Sequence, residues 1–174
     1  YSEFDFTQLM KLKKFNLKSV DSTNNKAIKL IKKGQIKPAI ILAANQTNGR
    51  GQYGKKWISV SGNLFISIFF NISFRKSVKK ITHENCQIIR NVLQKFSNKK
   101  INIKKPNDLL IEKHKVCGIL QEILIYKKKK YIIVGVGINV NKSPKIYRYS
   151  TTYLSKFLSK KINNLLIYNA IKNS

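Results

Sequence analysis

The stretch Val116–Asn141, VCGILQEILIYKKKKYIIVGVGINVN, decides the fold class. Two runs rich in Ile, Leu and Val flank the lysines Lys127 to Lys130. Apolar runs of this kind, split by a short polar stretch, predict an antiparallel hairpin with a charged turn. The second run holds Gly135 and Gly137, followed by Asn139 and Asn141. Glycine weakens a strand interior, so glycines there mark close approach by a ligand or another backbone.

Working outward, Ile101–Lys115, INIKKPNDLLIEKHK, reads as a strand interrupted at Pro106-Asn107-Asp108, with Pro106 fixing an extended approach to that turn. Before it, Ile81, Ile88, Ile89, Val92, Leu93 and Phe96 fall near one helical face. Asn63–Ile72, NLFISIFFNI, and the run from Pro38, PAIILAANQ, read as strands. Between Ser19 and Gly34, the cap-type residues Asp21, Ser22 and Thr23 precede Ala27, Ile28, Leu30 and Ile31. That is a short amphipathic helix with a glycine stop. The tail from Thr151 to Ser174 predicts two short helices. Together these elements predict an α+β domain: an antiparallel or mixed sheet with helices on one side.

A chain of 174 residues fits one domain able to bury a core without disulfides or metal. Cys86 and Cys117 make no CxxC pattern. They read as free thiols in a reducing compartment, Cys86 core or half-buried on its helix and Cys117 packed in its strand. His83 and His114 lack metal-ligand spacing. No apolar run reaches the roughly 18 residues of a spanning helix, and no signal-like start is visible. The formal net charge of +28 would ordinarily point to nucleic acid. However, only four of the 35 cations are Arg, and the lysines spread along the whole chain. Bidentate base readout favours Arg, so lysine reads here as the default solvated residue.

Two further stretches carry chemistry. Gln46–Trp57, QTNGRGQYGKKW, satisfies G-x-G-x-x-G at Gly49, Gly51 and Gly54, but it leads into a strand rather than a helix. It is therefore no dinucleotide fingerprint. The P-loop pattern also fails, since Lys56 stands where a hydroxyl should hold magnesium. What remains is a flexible cationic loop between strands, with Arg50, Lys55 and Lys56 for charge and Trp57 for stacking. Such a loop suits an anionic aromatic ligand such as a nucleotide. In the second stretch, Lys104, Asn107, Asp108, Lys115, Gly118 and Glu122 lie close in sequence. A carboxylate and a lysine at neighbouring strand ends could hold magnesium and a phosphate.

The motifs DSTN (Asp21–Asn24), NQTNGRGQYGKKW, SGNLFISI, KPNDLL, KVCGIL and GVGINV occur in that order. Over roughly residues 17 to 160 the chain thereby resembles the biotin protein ligases. The resemblance implies a class II synthetase-like catalytic domain: a mixed, largely antiparallel sheet flanked by helices. It implies ATP, Mg²⁺ and biotin as substrates and activator, with no tightly bound cofactor. Biotin becomes biotinyl-5′-AMP and is then passed to a lysine of a biotin carboxyl carrier domain of acetyl-CoA carboxylase or a related carboxylase. The expected setting is cytoplasmic, with no membrane and no specific DNA, and it leaves room for a homodimer. The whole of residues 1–174 is expected to be one catalytic domain. No DNA-binding domain is expected before it, and the small β-barrel usual after it in the family is absent or cut off.

The resemblance also distributes roles. Ser22, Thr23 and Asn24 would lie by the biotin head, Gln46 would bond its ureido group, and Gly118 would leave room for its ring. Arg50 would meet the carboxylate and phosphate, and Lys115 would be the central catalytic cation. Asp108 and Asn107 would order Mg²⁺ and the phosphates, and Asp108 would also help deprotonate the incoming lysine. Lys104, Gln52, Trp57 and Asn139 would contact the nucleotide, Trp57 on the adenine side. Two positions depart from the family pattern. Gln52 replaces a common Arg, and Lys105 a common Trp, which bears on ligand retention. The rival readings are a lipoate-protein ligase-like acyl-adenylate transferase, a basic nucleic-acid-binding domain and an inactive ligase fragment.

Overall fold

The computed structural model describes residues 12–35, 37–158 and 162–172. The first strand, β1 (Lys13–Leu17), leads to helix α1 (Thr23–Lys32) and then to β2 (Ala39–Ala43), which pairs with β1 in parallel. Ser22 caps α1, its hydroxyl accepting from the Asn25 amide, and Gly34 ends the turn with a φ of 94°. The cap residue and the glycine stop are those expected from sequence. β3 (Leu64–Ile72) runs antiparallel to β2. Helix α2 (Val78–Gln94) then crosses to a hairpin of β4 (Ile101–Lys104) and β5 (Asp108–Ile111). The long pair β6 (His114–Tyr126) and β7 (Lys129–Ile138) follows, and α3 (Asn164–Lys172) closes the described chain. The sheet order is β1-β2-β3-β7-β6-β5-β4.

The mixed, largely antiparallel sheet is the expected one, but its helices cover both faces. Alternation along each strand explains why. Ile66, Ile68, Val134 and Val136 point to one side, where Cys86, Ile89, Val92 and Leu93 of α2 and Ile167 and Ile171 of α3 meet them. Ile41, Phe69, Tyr131 and Ile133 point to the other, against Ala27 and Ile31 of α1. Each central strand is apolar on both sides, as strands covered on both faces must be. The described part of the tail holds two short helical segments, as expected: a 3₁₀ turn at Leu154–Phe157 and then α3, with residues 159–161 outside the described residues.

The Pro106 turn is tighter than an extended approach. The Lys105–Pro106 bond is cis, and the turn brings Lys104 opposite Asp108. Both cysteines are buried and free. Burial pushes the Cys86 thiol up to about 11 and raises the Cys117 thiol well above its ordinary value, so both stay protonated and inert at neutral pH. Among the described residues no helix is long and apolar enough to cross a membrane, and no cluster of three His, Cys, Asp or Glu could hold a metal.

One buried side chain ties three parts of the chain together. Asn63, 2% exposed, accepts through Oδ1 from the amides of Val140 (2.9 Å), Asn141 (3.2 Å) and Lys142 (3.4 Å). Its Nδ2 donates to the Lys142 carbonyl at 2.8 Å, and its own carbonyl accepts from Asn164 at 2.8 Å. Replacing it strands the buried Val140 amide and unties the two amides that follow. We expect Asn63→Ala to cost about 3 kcal/mol, seen as a lower urea midpoint with unchanged slope.

Candidate functional site

The site begins with three missing side chains. Gly118 of β6 sits opposite Gly137 of β7, and Leu120 sits opposite Gly135. All three glycines therefore share one face, the face that α1 covers further along. Asn24, in the first turn of α1, lies directly on Gly135, where a Cβ would collide with its amide. The Trp57 ring lies on the other two: a Cβ would meet it at 2.5 Å on Gly137 and 2.7 Å on Gly118. The close approach expected at Gly135 and Gly137 is thus made by the protein's own side chains. Trp57 lies on the sheet floor. The space above Gly118 is shared by its ring and the end of Lys115.

Lys115 reaches that face because β6 is irregular. The register with β5 shifts between Leu109 and Leu110, so Leu109 faces Cys117 while Leu110 faces Lys115. Val116 is the extra residue, and a bulge re-aims its neighbour. In a regular strand Lys115 would share the face of Cys117, which lies in the core. Instead its ammonium meets the Asp108 carboxylate at 2.7 Å, with side-chain exposures of 15% and 25%. Rings of Trp57 and Tyr149 lie 5.4 and 5.3 Å from the same ammonium.

The glycine loop is a folded turn. Trp57 donates to the Gly49 carbonyl at 2.9 Å, Gly51 to Lys55 at 2.7 Å and Lys55 to Gln52 at 3.1 Å. The strand-like stretch before it is held to the start of α1, with Thr47 and Asn48 donating to Val20 and Asp21. That puts Gln46 beside Thr23, whose amide and hydroxyl donate to Gln46 Oε1 at 2.8 and 3.1 Å. Gln46 Nε2 turns to Ser59 at 3.3 Å. Ser67, from β3, stands between Thr23 Oγ1 (2.7 Å) and Asn24 Oδ1 (2.5 Å). Arg50 is paired with Glu122 and also donates to Asn25, and the other Glu122 oxygen accepts from Asn24 at 2.8 Å.

These elements enclose a cavity of about 740 Å³. Twelve of the thirteen residues assigned by resemblance line it: Ser22, Thr23, Asn24, Gln46, Arg50, Gln52, Trp57, Lys104, Asn107, Asp108, Lys115 and Gly118. Asn139 does not. It is 2% exposed, its amide donates to Thr152 at 3.1 Å, and it fastens the end of β7 rather than facing the cavity. Asn107 lines the cavity but works first as a clamp, donating to Ile119 at 2.7 Å and accepting its amide at 2.9 Å. Sequence reasoning gave no role to Glu122 and missed Ser67, Arg148 and Tyr149. The last two line the cavity from an irregular segment that no motif marks.

Charge dominates the lining. Among the described residues, Arg50, Lys55, Lys56, Lys104, Lys105, Lys113, Lys115 and Arg148 surround the single carboxylate of Asp108. Such a cleft concentrates anions. With one carboxylate, already paired, the lining fits a magnesium ion held mainly by the phosphates of a nucleotide, with Asp108 and Asn107 the nearest oxygens. The Trp57 indole N–H is buried without an acceptor. Buried donors ordinarily find partners, so it is available to a ligand oxygen.

A family model described as the biotin/lipoate A/B protein ligase family matches residues 17–139. The bifunctional ligase/repressor BirA of Escherichia coli is 32% identical over 125 residues, covering 70% of this chain and 38% of that protein. A biotin protein ligase from Aquifex aeolicus, solved with biotin and ATP, superimposes with a TM-score of 0.77 at 27% identity, over 92% of this chain and 67% of that one. The Leishmania major ligase, solved with biotinyl-5-AMP, shares the fold with a TM-score of 0.75 at 22% identity, over 91% of this chain and 71% of that one. The chain spans about two fifths of the length of the curated relatives it matches first. The matched span takes in α1, β2 through β7 and nearly every residue of the cavity wall, and on it the chain belongs to the biotin/lipoate A/B protein ligase family.

Proposed function

We propose that this chain activates biotin with ATP and passes it to a lysine of a biotin-accepting carboxylase domain, in a cytoplasmic setting. The observation that supports it most directly is the Lys115–Asp108 pair, 2.7 Å apart beside a glycine floor in a cation-lined cavity. A carboxylate is inert to amines until it gains a leaving group. In the first step a biotin carboxylate oxygen attacks the α-phosphorus, the bond to the bridging oxygen breaks, and pyrophosphate leaves. In the second, the acceptor amine attacks the acyl carbon, loses a proton, and AMP leaves.

Lys115 neutralises charge where carboxylate and α-phosphate meet. Arg50 lies at the loop side of the same cavity, and a guanidinium has more donors than its contacts to Asn25 and Glu122 use. Two anions would otherwise repel, so positioning and charge neutralisation are most of the catalysis. Asp108 supplies the carboxylate that accepts the amine proton in the second step. Ser22, Thr23 and Gln46 form the polar end that meets the ureido head. Magnesium bound with ATP would spread the charge of the leaving pyrophosphate. Lys104 and Lys105, both exposed on the rim, meet the phosphates as they arrive.

Mass spectrometry of a carrier domain incubated with the chain, MgATP and either biotin or lipoate tests the reading. One biotinyl adduct on the carrier lysine supports it. A lipoyl adduct alone, or none, overturns it. Removing the Lys115 ammonium should lower biotin-dependent pyrophosphate exchange about 10²- to 10³-fold in a folded Lys115→Ala protein.

Gln52 generates a second expectation. It lines the cavity from the 3₁₀ turn at the loop tip and brings no charge. A charge-assisted bond exceeds a neutral one by about 1–2 kcal/mol, which is roughly 5- to 30-fold in escape of the adenylate. Gln52→Arg should therefore reduce biotin labelling of a bystander such as serum albumin by about that factor, with transfer to the carrier unchanged.

A further inference from the structure

Backbone and side chain of Lys115 are both gripped by a segment that none of the motifs includes. Between β7 and the 3₁₀ turn the chain has no regular structure, yet its place is fixed. The Lys115 amide donates to the Ser150 carbonyl at 2.9 Å, and the Thr152 amide donates back to the Lys115 carbonyl at 2.9 Å. The Thr151 hydroxyl donates to Pro144 at 2.5 Å, closing the segment on itself. The residue just before this clamp is Tyr149, and its ring lies 5.3 Å from the Lys115 ammonium. The Trp57 ring stands at 5.4 Å and Asp108 at 2.7 Å.

We propose that Tyr149 is a positioning residue for Lys115, holding the ammonium against Asp108 and inside the cavity. The proposal rests on the reading of Lys115 as the cation of adenylate formation. A lysine stem is flexible and its head is a compact, strongly hydrated charge. With only Asp108 and the Trp57 ring beside it, the head is free to turn out to solvent on the Tyr149 side. The face of an aromatic ring attracts a cation without offering a lone pair or a negative charge. A ring therefore restrains the ammonium without competing with an incoming carboxylate or phosphate, which a second carboxylate would do. Only the ring is needed for this, not the hydroxyl.

The test uses the whole chain with Tyr149→Leu and Tyr149→Phe. Tyr149 is 38% exposed, so both changes should leave the urea midpoint nearly unchanged. Should the Leu variant not fold, Tyr149→Gln serves with the same readouts. The first readout is acetylation of lysines by a water-soluble active ester without substrates, resolved by peptide mapping. Lys115 should label about tenfold faster in the Leu variant, as expected for a lost cation–π contact in a partly desolvated site. Labelling of Lys104 should not change, and the Phe variant should match wild type. The second is biotin-dependent pyrophosphate exchange: kcat should fall about tenfold for Leu, with KM for ATP within about twofold, and recover for Phe. Equal Lys115 labelling in Leu and wild type overturns the proposal. So does a Phe variant as impaired as Leu, which would assign the effect to the hydroxyl. A raised KM for ATP with unchanged kcat would make the ring a platform for the base instead. If wild type shows no exchange with biotin, the functional reading fails, while the labelling result still decides whether Tyr149 restrains Lys115.

Discussion

The site depends on a gap in one sheet face. Gly118, Gly135 and Gly137 are neighbours across β6 and β7, and none projects a side chain toward the α1 side. On the opposite side the same strands project Val134, Val136 and Ile138 into an unbroken core with α2 and α3. One face therefore supplies the stability, and the other is left free for a cavity. Where α1 covers the sheet, Ile133 and Tyr131 fill the gap beneath Ala27 and Ile31. One turn earlier along the helix, Asn24 can descend onto Gly135 only because nothing is there. Beyond Asn24 the helix ends, and the loop drops Trp57 onto the remaining two glycines. Helix start, loop and sheet are thus locked together by the absence of three Cβ atoms.

A second constraint turns that floor into a charged site. Alternation would give Lys115 and Gly118 opposite faces, because they are three residues apart. The extra residue Val116 cancels the mismatch, leaving Val116 and Cys117 both buried on the core side. The Pro106 turn sets Asp108 opposite Gly118, so its carboxylate emerges on the same face. The ion pair joins the ends of two strands whose backbones are already fixed, by the Asn107–Ile119 clamp on one side and the Ser150–Thr152 clamp on the other. Little conformational freedom remains to be lost when a ligand arrives.

Part of this was legible in the sequence. The β6–β7 hairpin, the capped α1, the apolar stripe of α2 and the cavity-lining motifs follow from periodicity, from turn residues and from the order of motifs. The β5–β6 hairpin was not. Its turn residues Glu112 and Lys113 have φ of 47° and 68°, and those of the next hairpin, Lys127 and Lys128, have 47° and 59°. Two-residue turns of this kind usually announce themselves with Asn or Gly. Here strand pairing on either side imposes the left-handed conformation on Glu and Lys, so no local signal exists. The bulge at Val116 is invisible for a similar reason: Lys-Val-Cys-Gly reads as an ordinary strand, and only pairing with β5 reveals the extra residue. Tyr149 sits in a stretch without periodicity, brought to Lys115 by backbone bonds that any residue types could make. Alternation alone would keep Asn139 on the glycine face, but it lies just past the end of β7, and its amide turns to donate to Thr152.

The distribution of charge has its own logic. Lysine is everywhere on this chain, so a basic surface says little about ligands. Within the cavity, however, the cations differ in kind. Lys55, Lys56, Lys104, Lys105 and Lys113 are exposed on its rim, where water screens them. Lys115 and Arg50 lie deeper, and each is matched with a carboxylate, Asp108 and Glu122. Cations so close to an apolar floor are costly without counterions. The two acids balance those cations, and by doing so they set a threshold for binding. A rim of lysines draws any anion near. An anion that remains must compete with the carboxylates already in place, over a surface flat enough for the indole and three glycines. Attraction is general here, and selection arises from the inner pairs.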